Sequence, residues 1–225
     1  MNKLANQILI IFIVALSSCS ADPTAEELFL KAEKLENQSK YKEAIPILNK
    51  AIEKDPKFLG AYINLGADYA ALGEYNKAIA IYNVVIKKDR MNQLAQFNIG
   101  INYMSLEKYQ EAVNAFNKIL NDENGNPIPE IIMTDTEGNI GEFQVRFHEV
   151  SYERGLVYYE LKNWNLAIDD FRRCIENNYL VPESRYMCGA IYEINGEMEN
   201  ACTQYSLAAM EGDKMAQERK AKVCK

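Results

Sequence analysis

Along the body of the chain, small and apolar positions recur every thirty-four residues. The clearest unit is Tyr62, Leu65, Gly66 and Tyr69, followed by Ala78 and Tyr82. One period later come Ile99, Gly100 and Tyr103, then Ala112 and Phe116; one period earlier come Leu28, Ala32 and Leu35, then Ala44 and Leu48, ending at Pro56. Gly155 and Tyr158 precede Ala167 and Phe171, and Gly189 and Tyr192 precede Ala201 and Tyr205. Units beginning at 25, 59, 93, 148 and 182 are therefore separated by 34, 34, 55 and 34 residues, with 21 extra residues between the third and the fourth. No such unit can bury its apolar face alone, so the pattern predicts a stack in which each unit leans on its neighbours. In the extra segment, about Pro127 to Phe147, the period changes to two. Ile131 and Met133 lie before Asp135-Thr136-Glu137-Gly138-Asn139, and Phe143, Val145 and Phe147 alternate with Gln144 and Arg146 after it. That alternation predicts a β-hairpin or a packed loop, either as tolerated loop-length variation or as an arm that covers a groove or meets a partner.

Five units in register resemble the tetratricopeptide repeat, and they cover 170 of the 225 residues. The resemblance implies an all-α fold: a right-handed superhelical solenoid of five helix-turn-helix repeats, with the short insertion and a polar C-terminal capping helix over 214–225. It places units one to three at 25–126, the insertion at 127–147 and units four and five at 148–213. Small residues at the eighth and twentieth positions (Ala32 and Ala44, Gly66 and Ala78, Gly100 and Ala112, Gly155 and Ala167, Gly189 and Ala201) let the two helices of a unit approach. Aromatics at the seventeenth position (Tyr41, Tyr75, Tyr109, Trp164) wedge into the pair, with Met198 in the last unit. Gly73 and Gly196 suit a turn with positive φ. The chain departs from the family in Lys31 and Arg154 at the seventh position, and in keeping a terminal proline only in the first unit.

In this family the first helices line a concave surface. The fifth positions here are Phe29, Ile63, Phe97, Tyr152 and Tyr186; Ile101 and Leu156 stand at the ninth, and Met104 and Tyr159 at the twelfth. A ladder of apolar and aromatic side chains one repeat apart is what a groove for a helix or an extended peptide requires. The alternative is that these side chains pack between neighbouring first helices as core. Glu33 and Ala67 stand where relatives that clamp a C-terminal carboxylate carry Lys or Asn, so that ligand is not expected.

The N-terminus reads as an address. Lys3 precedes the apolar run Ile8 to Leu16, which at nine residues is too short to cross a bilayer needing about 20. Leu16-Ser17-Ser18-Cys19 resembles the bacterial lipobox, which implies a signal peptide over 1–18, diacylglycerol addition and acylation such as palmitate at Cys19, and a tether over 19–24. Multiple acyl chains give stable anchoring without a span. Ser20 resembles the outer-membrane sorting signal of some bacteria, so the expected place is the cell envelope, at the outer membrane facing the periplasm.

Charge and chemistry narrow the function. The net charge is −7, and removing Lys3 leaves 24 basic against 32 acidic side chains, which argues against nucleic-acid binding. A single histidine, His148, leaves little for zinc or His-based catalysis and is read as a surface or capping residue. There is no G-x-S-x-G, H-E-x-x-H or phosphate-binding glycine loop, and Asp169-Asp170 is assigned to a solvated helix face. The expectation is a scaffold without cofactor or metal that binds a protein subunit or peptide in envelope assembly or secretion. An adaptor that recruits a periplasmic protease or cell-wall enzyme is the alternative. Cys174, Cys188, Cys202 and Cys224 permit three pairings in an oxidising compartment. Height along antiparallel helices favours 174–188 with 202–224, against four free thiols.

Overall fold

The computed structural model describes residues 22–121, 124–127 and 144–224. Among them are eleven helices in antiparallel succession: α1 Ala25–Glu36, α2 Tyr41–Lys54, α3 Leu59–Ala71, α4 Tyr75–Lys88, α5 Gln93–Ser105, α6 Tyr109–Leu120, α7 Phe147–Glu160, α8 Trp164–Glu176, α9 Val181–Ile194, α10 Met198–Met210 and α11 Lys214–Val223. Each of the five units is one helical pair, and α11 follows the last. Contacts run from each helix to the next, with lesser contacts between first helices, α3 with α5 and α5 with α7. The core is accordingly a chain of linked clusters rather than one centre.

Local chemistry sets the helix ends. Thr24 and Glu27 form a reciprocal capping box at the start of α1. Asn92 and Asp213 cap α5 and α11 by accepting from the amides of Ala95 and Ala216. Every pair closes on the same C-terminal device. The residue at the fifteenth position turns left-handed: Ser39, Gly73, Glu107, Lys162 and Gly196, at φ of 57°, 74°, 57°, 57° and 80°. The following amide then reaches back across the last turn: Lys40 to Leu35, Glu74 to Tyr69, Lys108 to Tyr103, Asn163 to Tyr158 and Glu197 to Tyr192.

Packing inside a pair follows one rule. An added Cβ on Gly66, Gly100, Gly155 or Gly189 would meet the ring of Tyr82, Phe116, Phe171 or Tyr205 at 2.7, 2.4, 3.0 and 2.7 Å. Those four rings are buried to 1% exposure or less. In the first pair, Ala32 takes the glycine's place and Leu48 the ring's. The eighth and twenty-fourth positions are thus one complementary volume.

Of the insertion, Val145 and Phe147 are buried, and the Val145 amide donates to Gln93 Oε1 at 3.2 Å. Phe147 opens α7, one residue before the expected start of the fourth unit. Asn121 and Pro127 form an isolated antiparallel bridge. The expected hairpin around 135–139 lies outside the described residues, as does the segment that contains Cys19. No helix among the described residues is long and apolar enough to cross a membrane.

Candidate functional site

The five first helices, α1, α3, α5, α7 and α9, carry the expected ladder. Phe29, Phe97, Ile101, Met104, Tyr152, Leu156, Tyr159 and Tyr186 are half-buried, whereas Ile63 is 8% exposed and belongs to the core. Its neighbours on α3, Tyr62 and Leu65, are buried with it, so that stretch of α3 is packed nearly all round.

The half-burial of the rings has a specific cause. Phe97, Tyr152 and Tyr186 each lean on the twenty-fourth-position ring of their own pair: Phe116 at 5.8 Å, Phe171 at 5.8 Å and Tyr205 at 5.7 Å between centroids. Tyr159 lies edge-on to Trp164 at 5.4 Å, and Phe29 tilts against Phe58 at 4.9 Å. Each ring is held by its own repeat, Tyr152 also lying edge-on to Tyr179 at 6.3 Å, and stays partly exposed, which fixes its orientation before any ligand arrives. Burial, chiefly, pushes the Tyr152 hydroxyl up to about 12, so it stays protonated and can donate.

At the C-terminal end of this face is a cleft of about 270 Å³ between Tyr159, Tyr186, Ala190 and the triad Glu193–Tyr205–Arg219. The Tyr205 hydroxyl donates to Glu193 Oε2 at 2.8 Å, and Arg219 Nε donates to the same oxygen at 2.9 Å. That hydrogen bond from Arg219 is the main reason the Glu193 carboxyl lies below its usual range. The triad depends on α11, which the Cys202–Cys224 disulfide ties to α10 across a Cα separation of 5.6 Å. A larger cleft, about 710 Å³, lies off this face where Ile86, Met91, Gln96, Lys118 and Ile119 meet at helix ends.

Near the N-terminal end, Glu36 of α1 and Asn64 of α3 are joined by a hydrogen bond from Asn64 Nδ2 to Glu36 Oε2 at 2.9 Å. One turn further along α3, Asp68 is 2% exposed, and burial first, then the Glu36 charge, raise its carboxyl to about 7. Sequence reasoning missed this group. The signal was a carboxylate at the tenth position of the second unit, where the other units carry Lys34, Asn102, Val157 and Ile191.

Other expectations need correction. Asp170 is 3% exposed rather than solvated: its carboxylate receives Arg154 Nε at 2.8 Å and Nη2 at 2.7 Å, while Arg154 Nη1 reaches Asn117 Oδ1 at 2.6 Å. The odd seventh-position arginine is therefore the partner of a buried carboxylate and a tie between α6, α7 and α8. Cys174 and Cys188 are free and buried. Cys174 Sγ donates to the His148 carbonyl at 3.3 Å, so equal height along adjacent helices did not bring the two thiols together. Burial pushes both thiols up to about 12 and keeps them unreactive. His148 itself packs half-buried against Tyr179 at 4.8 Å. No group of three or more His, Cys, Asp or Glu side chains among the described residues is arranged to hold a metal.

Sequence models described as tetratricopeptide repeat match residues 37–99, 95–121 and 149–178. No curated protein matches the chain by sequence. Among solved structures, the chain is similar to MamA, at 19% identity and a TM-score of 0.65 over 85% of this chain and 96% of that one. It is similar to PilF of Pseudomonas aeruginosa, at 20% identity and a TM-score of 0.67 over 88% of this chain and 83% of that one. It is also similar to YrrB, a tetratricopeptide repeat protein with an unusual peptide-binding site, at 18% identity and a TM-score of 0.63 over 88% and 92%. At these identities the likeness is one of fold.

Proposed function

Since the chain belongs to the tetratricopeptide repeat family, whose members are in general non-enzymatic scaffolds for protein and peptide partners, we propose that its concave first-helix face holds a segment of a partner protein while Cys19 anchors the scaffold to a membrane. One observation supports the groove: aromatic rings recur at the fifth position of α5, α7 and α9, each braced by the twenty-fourth-position ring of its own repeat and partly exposed. Burying two or three such anchors contributes about 1.5–3 kcal/mol apiece before ordering costs, enough for a transient complex. The lipobox-like Leu16-Ser17-Ser18-Cys19 and Ser20 support an envelope location, at the outer membrane and facing the periplasm, in an assembly or secretion role.

The groove is tested with Met104→Arg and Leu156→Arg, which place charge on the face without removing a braced ring. Purified with its native membrane complex, each variant is expected to lose the partner that co-purifies with the unaltered chain while melting within a few degrees of it. Retention of the same partner by both variants contradicts the groove. Anchoring is tested by metabolic labelling with a clickable palmitate: label is expected on the chain and absent from Cys19→Ser, and label that persists in Cys19→Ser rejects that anchor.

A further inference from the structure

We propose that the seam between α1 and α3 is a subsite for one cationic side chain, lysine or arginine, of the segment that docks on this face; the subsite rests on the groove reading and names what the occupant must carry at that end. Glu36 closes α1, and Asn64 and Asp68 stand one turn apart on α3. The Asn64 amide satisfies one Glu36 oxygen and leaves Glu36 Oε1 and Asp68 Oδ2, both shut off from solvent and without a donor among the described residues. A buried carboxylate oxygen with no donor is costly, and here two carboxylates, near enough for the Glu36 charge to raise the Asp68 carboxyl, share the defect. Glu33, one turn before Glu36, adds a third negative charge that raises the Glu36 carboxyl further after burial.

The two orphan oxygens ask for N–H donors with a positive charge. A primary ammonium offers three donors and a guanidinium a fork of them, so either brings more than one N–H to the seam. Two carboxylates and one amide fall short of the six to eight oxygens calcium takes, which disfavours a bare metal ion. In the unoccupied chain burial, and then the Glu36 charge, raise the Asp68 carboxyl to about 7, so near neutral pH it holds a proton about half of the time. Glu36 is half-buried and Asp68 is 2% exposed, so Glu36 is the outer and Asp68 the inner of the two carboxylates. α7 and α9 carry Glu149, Glu153, Glu160, Glu183 and Glu193 against Arg154 and Arg185, a net negative charge that matches a basic partner.

Two readouts separate this subsite from the groove itself. The first follows the Asp68 carboxyl by carbon-13 NMR in the full chain in detergent micelles, in n-butylammonium chloride and in sodium chloride at equal ionic strength. The alkylammonium is expected to lower the Asp68 midpoint by about one pH unit more than sodium does. The second measures binding of the probe peptide acetyl-LFKLF-amide and of its norleucine-for-lysine analogue. The lysine peptide is expected to bind about tenfold tighter to the unaltered chain, the preference to vanish in Asp68→Asn, and Leu156→Arg to weaken both peptides alike. Asp68→Asn removes a buried carboxyl that ionises without a partner as pH rises through about 7, so it is expected to stay folded and to melt higher above that pH. Equal effects of the two salts, or an undiminished lysine preference in Asp68→Asn, overturn the subsite and leave the groove standing. A shifted midpoint with neither peptide bound keeps the subsite and rejects the groove for this probe. Failure of both readouts rejects both.

Discussion

Gly100 and Phe116 show how little slack separates a pair's two helices. A Cβ on Gly100 would lie 2.4 Å from the ring, nearer than real carbon contacts allow, and Phe116 is fully buried with nowhere to turn. Gly100→Ala is therefore expected to lower unfolding free energy by about 2–3 kcal/mol in urea, with Gly155→Ala, whose contact is 3.0 Å, losing less. Adding Phe116→Leu to Gly100→Ala should recover part of the loss, because that pair reproduces the Ala32 and Leu48 of the first unit. Equal losses at both glycines, or no recovery, count against a shared volume. The glycines and the rings were both visible in the repeat pattern, but their dependence on each other was not, since periodicity marks which positions are small or large and not which touch. The same gap hid Asp170. A carboxylate on a polar-looking stretch reads as solvated until the arginine sixteen residues earlier is seen to reach it.

Helix by helix, the repeat placed the elements well: five pairs and a final helix fall where the units do, and α7 begins one residue early. The turns were legible only at Gly73 and Gly196. Ser39, Glu107 and Lys162 adopt the same left-handed conformation without being glycine, because the closing bond from the next amide fixes it whatever the side chain. A non-glycine residue there carries about 1 kcal/mol of strain. Lys162, exposed and between α7 and α8, is the cleanest place to relieve it. Lys162→Gly is expected to raise the melting temperature by a degree or two, the gain partly offset by the greater freedom of glycine in the unfolded chain, whereas Gly196→Val should lower it by several degrees. A fall for Lys162→Gly larger than that for Gly196→Val would show that the turn is held some other way. The cysteines mark a further limit of sequence reading. Helix height correctly matched Cys202 with Cys224, but the facing of Cys174 and Cys188 depends on how α8 and α9 rotate about their axes, which spacing does not encode.

For the molecule as a whole, stacking of like units makes the surface as periodic as the core, so a ladder of side chains along the first helices follows from the fold itself. Most of that ladder was legible in the sequence, and Ile63 departs from it because Tyr62 and Leu65 beside it are buried too. The acidic end at Glu36 and Asp68 and the cleft at Glu193, Tyr205 and Arg219 were not legible, since the first joins two repeats and the second brings the final helix onto the fifth. The sharpest test of the account is site-specific photocrosslinking in the cell of origin, with benzoylphenylalanine at Met104 or Leu156 on the first helices and at the exposed Gln110 or Arg172 on the second helices. The account predicts one discrete protein adduct from Met104 and Leu156 and none from Gln110 and Arg172; adducts confined to the second-helix positions, or none from the first-helix face, would contradict it.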